Sequence, residues 1–181
     1  GTITQNKMQV SSVCVAGQII NSKSFSNNSE VVNLFIVAHQ ASHIDSADPM
    51  EKAIAFSYLN NGKFSIKKET RFIKEYPLSK SLMAMSRVFE ADSSDKCFVF
   101  TKGAPENIFA LCALSEIELA KHQKAFQEMA SSGLRVIAVA SANYDSSTLP
   151  SLQSDFKLNF LGLIGLEDPV RPEVNAAIKE C

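Results

Sequence analysis

The sequence predicts an α+β fold: an antiparallel β-sheet flanked by helices, with the helices laid on one face. Three observations lead there. Apolar, β-branched runs come in clusters instead of alternating one-for-one with helices. Helical periodicities come in pairs between those clusters. Most runs end on a Gly, Pro, Asn or Asp signal. The resulting order is strand, two helices, three strands, two helices, two strands.

Met8 to Ala16 (MQVSSVCVA) reads as the first strand, ended at Gly17. Asn21 to Asn28, rich in Ser and Asn, reads as a loop. A helix then opens at Ser29-Glu30, with Ser29 as the cap and Val31, Leu34, Phe35 and Ala38 as its apolar stripe. After a loop from Ser42 to Ala47, Asp48 caps a second helix that has Pro49 at its first position. Asn60-Asn61-Gly62 stops it. Lys67 to Glu75 precedes Tyr76-Pro77, so it reads as an edge or bulged strand. Leu82 to Glu90 and Lys96 to Lys102 form a hairpin around Asp92-Ser93-Ser94-Asp95. A helix follows Pro105 and ends near Ala113. Glu116 to Ser131 places Leu119, His122, Phe126 and Met129 at helical spacing and stops at Gly133. Leu134 to Ala142 is a strand, Asn143 to Asp155 a loop, and Phe156 to Leu166 the last strand. Asp168-Pro169 breaks it, and a final helix begins at Glu173.

With 181 residues the chain is long enough for one domain with a real core. Its 45% apolar and 20% charged content is ordinary for a soluble globular protein. A net charge of −1 argues against nucleic acid or an anionic membrane as a partner. No apolar run approaches the roughly 20 residues that span a bilayer. No signal peptide is visible, so a cytosolic-side unit is expected, which is compatible with a piece of a membrane protein. The four cysteines lie far apart, against structural zinc or a disulfide scaffold, and Cys14 and Cys97 read as buried thiols. His39 and His43 are four apart and would share a helix face, but no third metal ligand is near.

The organising stretch is Thr101-Lys102-Gly103-Ala104-Pro105-Glu106, lying between a strand and a helix. Glycine permits close approach to the backbone. Proline suits the first helical turn, and Glu106 favours the positive end of the helix dipole. Lys102 therefore stands at a strand end on a tight turn, a good place to hold a cation against an anion. Read alone, such a lysine is a solvated strand end, and Glu51 in a first helical turn is a helix-dipole carboxylate. There is no phosphate-binding G-x-x-x-x-G-K-[ST] loop, no G-x-G-x-x-G and no G-x-S-x-G. No carboxylate pair stands out as acid and base.

The Lys-Gly-Ala-Pro-Glu run at 102–106 resembles a motif of the nucleotide-binding (N) domain of P-type cation-transporting ATPases. Four further stretches resemble that family's motifs, in the family's order. Gly1 to Met8 (GTITQNKM) is similar to the end of the phosphorylation motif D-K-T-G-T-[LI]-T-x-N-x-M. Asp48 to Ile54 (DPMEKAI) is similar to D-P-x-E-x-A-[LI], and Gly133 to Ala138 (GLRVIA) to G-[LY]-R-x-[LI]-A. Asp168 to Val174 (DPVRPEV) is similar to the hinge motif D-P-P-R-x-E-V. One such motif is weak; five in order, spread from the first residue to the last dozen, are strong. By this resemblance the chain is identified as a member of the ion-pumping, type II branch.

The resemblance implies an N-domain-like fold in a cytoplasmic domain of an integral membrane protein. Residues 1–7 would be an arm from the phosphorylation domain, 8–167 the nucleotide-binding domain, and 168–181 the hinge and return arm. The ligand would be ATP, as Mg-ATP in the full-length pump. The partners would be the phosphorylation and actuator domains of the same chain. The acceptor aspartate would sit just before Gly1, so the isolated domain is expected not to be catalytic. Lys102 would lie beside the adenine and the phosphates, and Gly103 would let the nucleotide approach the backbone. Arg135 would contact the phosphates, and Glu51 would accept from the adenine amino group. Tyr76 to Ser86 (YPLSKSLMAMS) departs from the family's Pro-Phe, Arg-Lys and Met-Ser pattern. Aligning Pro77 and Met85-Ser86 puts Leu78 at the adenine-stacking phenylalanine and Met83 at a lysine. A two-residue slip instead puts Tyr76 at the aromatic position and Met83 at the methionine. On a strand Tyr76 and Leu78 would share a face, so both remain candidates for the adenine shelf. The other reading is a degenerate regulatory or scaffold domain of the same fold, which Leu78 and Met83 favour.

Overall fold

The computed structural model describes residues 7–61, 70–92 and 94–169. In chain order these form β1 (Gln9–Val15), β2 (Gln18–Asn21), α1 (Ser29–Gln40), α2 (Pro49–Asn61), β3 (Thr70–Tyr76), β4 (Ala84–Ala91), β5 (Lys96–Gly103), α3 (Pro105–Leu111), α4 (Glu116–Ser131), β6 (Arg135–Asp145) and β7 (Asn159–Glu167). Most of the leading arm 1–7, the start of the predicted strand at Lys67 and the helix expected from Glu173 lie outside the described residues.

The strands make one seven-stranded sheet in the order β2-β1-β7-β6-β5-β4-β3, and every neighbouring pair is antiparallel. β3 is the edge strand that Pro77 predicts, with a register irregularity between Phe72 and Lys74. β2 is a strand that the sequence does not announce. A hairpin at Ala16-Gly17 makes it, with φ of 49° and 77°, both in the left-handed region that a two-residue primed turn needs. Ala at the first of those positions hides the signal that Asn-Gly would have given.

Helices cover both faces of the sheet, not one as the sequence order suggests. Along β6, Ile137 and Val139 pack with α1 and α2, while Ala138, Ala140 and Ala142 pack with α3 and α4. The physical reason lies in the central strands. β6 and β7 are buried on both sides, so their sequences read as near-continuous apolar runs without clean alternation. The predicted stripe of α1 (Val31, Leu34, Phe35 and Ala38) is buried against the first face.

Local chemistry sets the helix starts. The side chain of Asn28, not Ser29, caps α1, accepting from Glu30 N at 2.9 Å and Val31 N at 3.2 Å. Asp48 Oδ1 accepts from Met50 N at 2.7 Å and Glu51 N at 3.2 Å, fixing the first turn of α2. Ser115 and Glu118 make a reciprocal capping box on α4. The segment between β6 and β7 is tied down by buried polar groups. Gln153 accepts from Ser86 Oγ at 2.7 Å and donates to Ala84 O at 2.9 Å, while Ser86 and Thr101 hydroxyls share a bond at 2.7 Å. These bonds hold the start of β4 against β5, where the candidate site begins.

Candidate functional site

Successive side chains on a strand point to opposite faces. Phe100 packs on the α1/α2 side, so Lys102, two residues further along β5, projects toward α2. Arg135 lies on the same side at the start of β6, two residues before Ile137. The cap at Asp48 aims the first turn of α2 at the same place and brings Glu51 there. The result is a cleft of about 400 Å³ lined by Glu51, Leu78, Met83, Lys102, Gly103 and Arg135. Its walls also include Met50, Met85, Val136 and Ile137, and its rim His43, Ser46 and Asp48. Six of the seven residues singled out from sequence therefore meet in one cavity, though they are spread from position 51 to position 135.

Tyr76 does not. It is buried in the core on the opposite face, edge-on to Phe156 at 4.8 Å, and its hydroxyl donates to Pro150 O at 2.5 Å. The expectation that Tyr76 and Leu78 share a face fails because β3 ends at Tyr76. Beyond the strand, alternation no longer applies, and the irregular segment after Pro77 places Leu78 in the cleft with 55% of its surface exposed. Met83, 45% exposed, stands on the neighbouring wall.

Gly103 also has a structural need of its own. A Cβ there would meet Met83 O at 2.3 Å and the Ala84 Cα at 2.7 Å. The close approach that demands glycine is therefore with the backbone of β4, its paired strand. Ala104 N donates to Met83 O at 2.8 Å, and Asn107 Oδ1 accepts from Met83 N at 3.0 Å. Asn107, just after the Lys-Gly-Ala-Pro-Glu run, thus clamps the Met83 wall. Its pairing with a residue 24 positions away had no sequence signal.

The electrostatics centre on Glu51. Lys102 Nζ donates to Glu51 Oε1 at 2.6 Å, and both side chains are nearly buried. Burial by itself would raise the Glu51 carboxyl. The hydrogen bonds from Lys102 and Ser46, the charge of Lys102 and the His43 backbone N–H outweigh it and hold the carboxyl below its ordinary value. The helix-dipole reading of Glu51 was incomplete: the carboxylate sits in the first turn and is also half of a buried ion pair.

His43 lies beyond the end of α1, in the loop before α2, so it does not share a helix face with His39. His43 Nε2 is 2.8 Å from Glu75 Oε2, and its Nδ1 is 3.9 Å from Glu51 Oε2. Glu75 is in turn 3.6 Å from Arg87 Nε, and Arg87 donates to Ser42 O at 2.6 Å. A row of ionisable side chains therefore runs from Lys102 through Glu51, His43 and Glu75 to Arg87. Arg135 is exposed and makes no ion pair among the described residues. The cleft combines apolar walls, one paired ammonium, one open guanidinium and one desolvated carboxylate. Such a set suits a flat organic group carrying an oxyanion. Among the described residues, no helix is long and apolar enough to cross a membrane.

Comparison with known proteins agrees with the family that the motifs resemble. Residues 10–173 match the family model described as "P-type ATPase, cytoplasmic domain N". The whole chain aligns with a calcium-transporting ATPase of Bacillus subtilis at 29% identity, over 25% of that protein. It aligns over its whole length with calcium-transporting ATPase 1 of Bacillus cereus at 30% identity, over 22% of that protein. A sodium/potassium exporting P-type ATPase of Schizosaccharomyces pombe is 32% identical over 67% of this chain and 13% of its own. The chain thus spans a quarter or less of the length of these relatives. With the antiparallel sheet, the helices on its faces and the ordered motifs, the match shows that the chain belongs to the P-type ATPase family, as its cytoplasmic domain N.

Proposed function

We propose that the cleft binds ATP and that the domain presents the γ-phosphate to an acceptor aspartate outside this chain, within a P-type cation pump. The observation that carries this reading is the convergence of Glu51, Leu78, Met83, Lys102, Gly103 and Arg135 on one cleft. Leu78, Met83, Met50 and Ile137 offer an apolar slot for a purine. Lys102 and Arg135 offer donors to phosphate oxygens, and Glu51 an acceptor to an exocyclic amine. ATP, bound with Mg²⁺ in the full-length pump, supplies the transferable phosphoryl group; this chain's residues bind and orient it. Residues 1–7 and 168–181 serve as arms to the phosphorylation domain, and the phosphorylation and actuator domains are the partners within the longer protein. The relatives are named for calcium or for sodium and potassium. The class carried over to this chain is a metal cation.

Isothermal titration calorimetry with ATP on the 181-residue chain tests the reading. A site without its neighbouring domain is expected at roughly 0.1–10 mM, about −2.7 to −5.5 kcal/mol. Arg135→Ala should weaken it by ~1.5–3 kcal/mol, the contribution of a charge-assisted bond. Undetectable binding, or an Arg135→Ala variant that binds as well as the parent, overturns the assignment. Leu78 and Met83 support a second reading, a scaffold domain that has lost its ligand, because they replace a stacking ring and a cation with aliphatic side chains. Undetectable binding would favour that one.

A further inference from the structure

The cleft's lysine is not free. Glu51 Oε1 holds Lys102 Nζ at 2.6 Å, so a phosphate reaching Lys102 must compete with a carboxylate already in place. The other oxygen of that carboxylate, Oε2, faces His43 Nδ1 at 3.9 Å, too far for a hydrogen bond. The imidazole's other nitrogen, Nε2, is bonded to Glu75 Oε2 at 2.8 Å. Glu75 accepts there, so Nε2 carries the hydrogen. A neutral ring then has a lone pair on Nδ1, aimed toward an anionic oxygen, and no attraction closes the gap. A protonated ring carries an N–H at both positions, and Nδ1 becomes a donor to Glu51 Oε2.

We propose that His43 is a positioning residue of the nucleotide cleft: when its ring carries a proton it draws Glu51 from Lys102, releases the lysine to an anionic ligand and so links occupancy of the cleft to pH. The inference rests on the nucleotide reading of the cleft. The charges around His43 make the linkage legible. Glu51 faces it from α2 and Glu75 from β3, with Arg87 of β4 behind Glu75 and Lys102 of β5 behind Glu51. Its own loop carries Asp45 and Asp48. Lys102 and Arg87 balance Glu51 and Glu75, so the proton on His43 is the charge that tips this row positive. Arg87 also pins the start of the loop through the Ser42 and Gln40 carbonyls, so the ring stays between the two carboxylates. His43 itself is half exposed and can exchange protons with solvent.

The test compares the parent chain with His43→Gln, which keeps a hydrogen-bonding side chain that does not titrate. Without any ligand, lowering the pH from 8.0 to 5.5 should shift the Lys102 ¹³Cε resonance in the parent and leave it in place in His43→Gln. Equal shifts in both overturn the inference. With ATP, calorimetry at the two pH values should show the parent gaining about 3- to 30-fold more affinity on acidification than His43→Gln, as one added charge at this range allows. Protonation of the nucleotide's own phosphates is common to both proteins and cancels in the comparison. Identical pH profiles overturn the inference. If neither protein binds ATP at either pH, the nucleotide reading fails; the ligand-free resonance then decides the link from His43 to Lys102 by itself.

Discussion

Removing the ammonium of Lys102 by Lys102→Met keeps much of the side-chain volume and strands the Glu51 carboxylate. The parent pair is short, 2.6 Å, with relative exposures of 11% and 8% for the two side chains. Breaking a buried pair from one side costs about 3–5 kcal/mol. The cleft is open on one side, and Ser46 and the His43 backbone still donate to Glu51, so we expect about 2–3 kcal/mol here. Glu51→Gln should cost less, about 1 kcal/mol, because the longer lysine can reach water. The double variant Glu51→Gln/Lys102→Met should recover part of the loss and give a coupling of about 1–2 kcal/mol. A domain stable by about 5–15 kcal/mol stays folded throughout. The chain has no tryptophan, so urea unfolding followed by circular dichroism is the suitable assay. The pH dependence has a definite sign. The Glu51 carboxyl lies below its ordinary value in the folded chain, so what its ionised form contributes, whether it faces Lys102 or a protonated His43, is complete above the unfolded carboxylate range and is lost as pH falls through the lower folded value. The gap between parent and Lys102→Met should therefore narrow in acid. Strictly additive single variants, or a gap that widens toward low pH, would refute the reasoning.

Three further outcomes follow from the cleft wall, the core and the strand pairing. Leu78→Phe should tighten ATP, ADP and AMP binding about two- to tenfold, because a ring in place of the exposed leucine adds ~0.5–1.5 kcal/mol of offset stacking. Tyr76→Ala should instead cost ~3–5 kcal/mol of stability, since the ring is core; calorimetry and urea unfolding on the two variants separate these roles, and a Leu78→Phe variant with unchanged affinity would remove Leu78 from the shelf. Gly103→Ala should destabilise by ~1–3 kcal/mol, because the new methyl meets Met83 O at 2.3 Å and the Ala84 Cα at 2.7 Å, where β4 begins; an unaltered urea midpoint would show that the two strands part without cost.

The sequence by itself determined most of the elements and the family. Caps and stops are local chemistry: Asp48-Pro49 starts α2 and the Ser115/Glu118 box starts α4 without help from distant residues. The Lys-Gly-Ala-Pro-Glu run and its four companions are contiguous strings, so they carry the family and the candidates Lys102 and Arg135 before any fold is known. Tertiary structure decided what depends on residues meeting across the sheet. Helices cover both faces because β6 and β7 are central, which an apolar run cannot say about itself. Tyr76 and Leu78 part company because β3 ends between them, and strand ends are set by pairing with β4 as much as by Pro77. Glu51 meets Lys102 across 51 positions, and His43 meets Glu75 across 32. A carboxylate's neighbours in space, which fix its charge and its competitors, are not written in its neighbours along the chain.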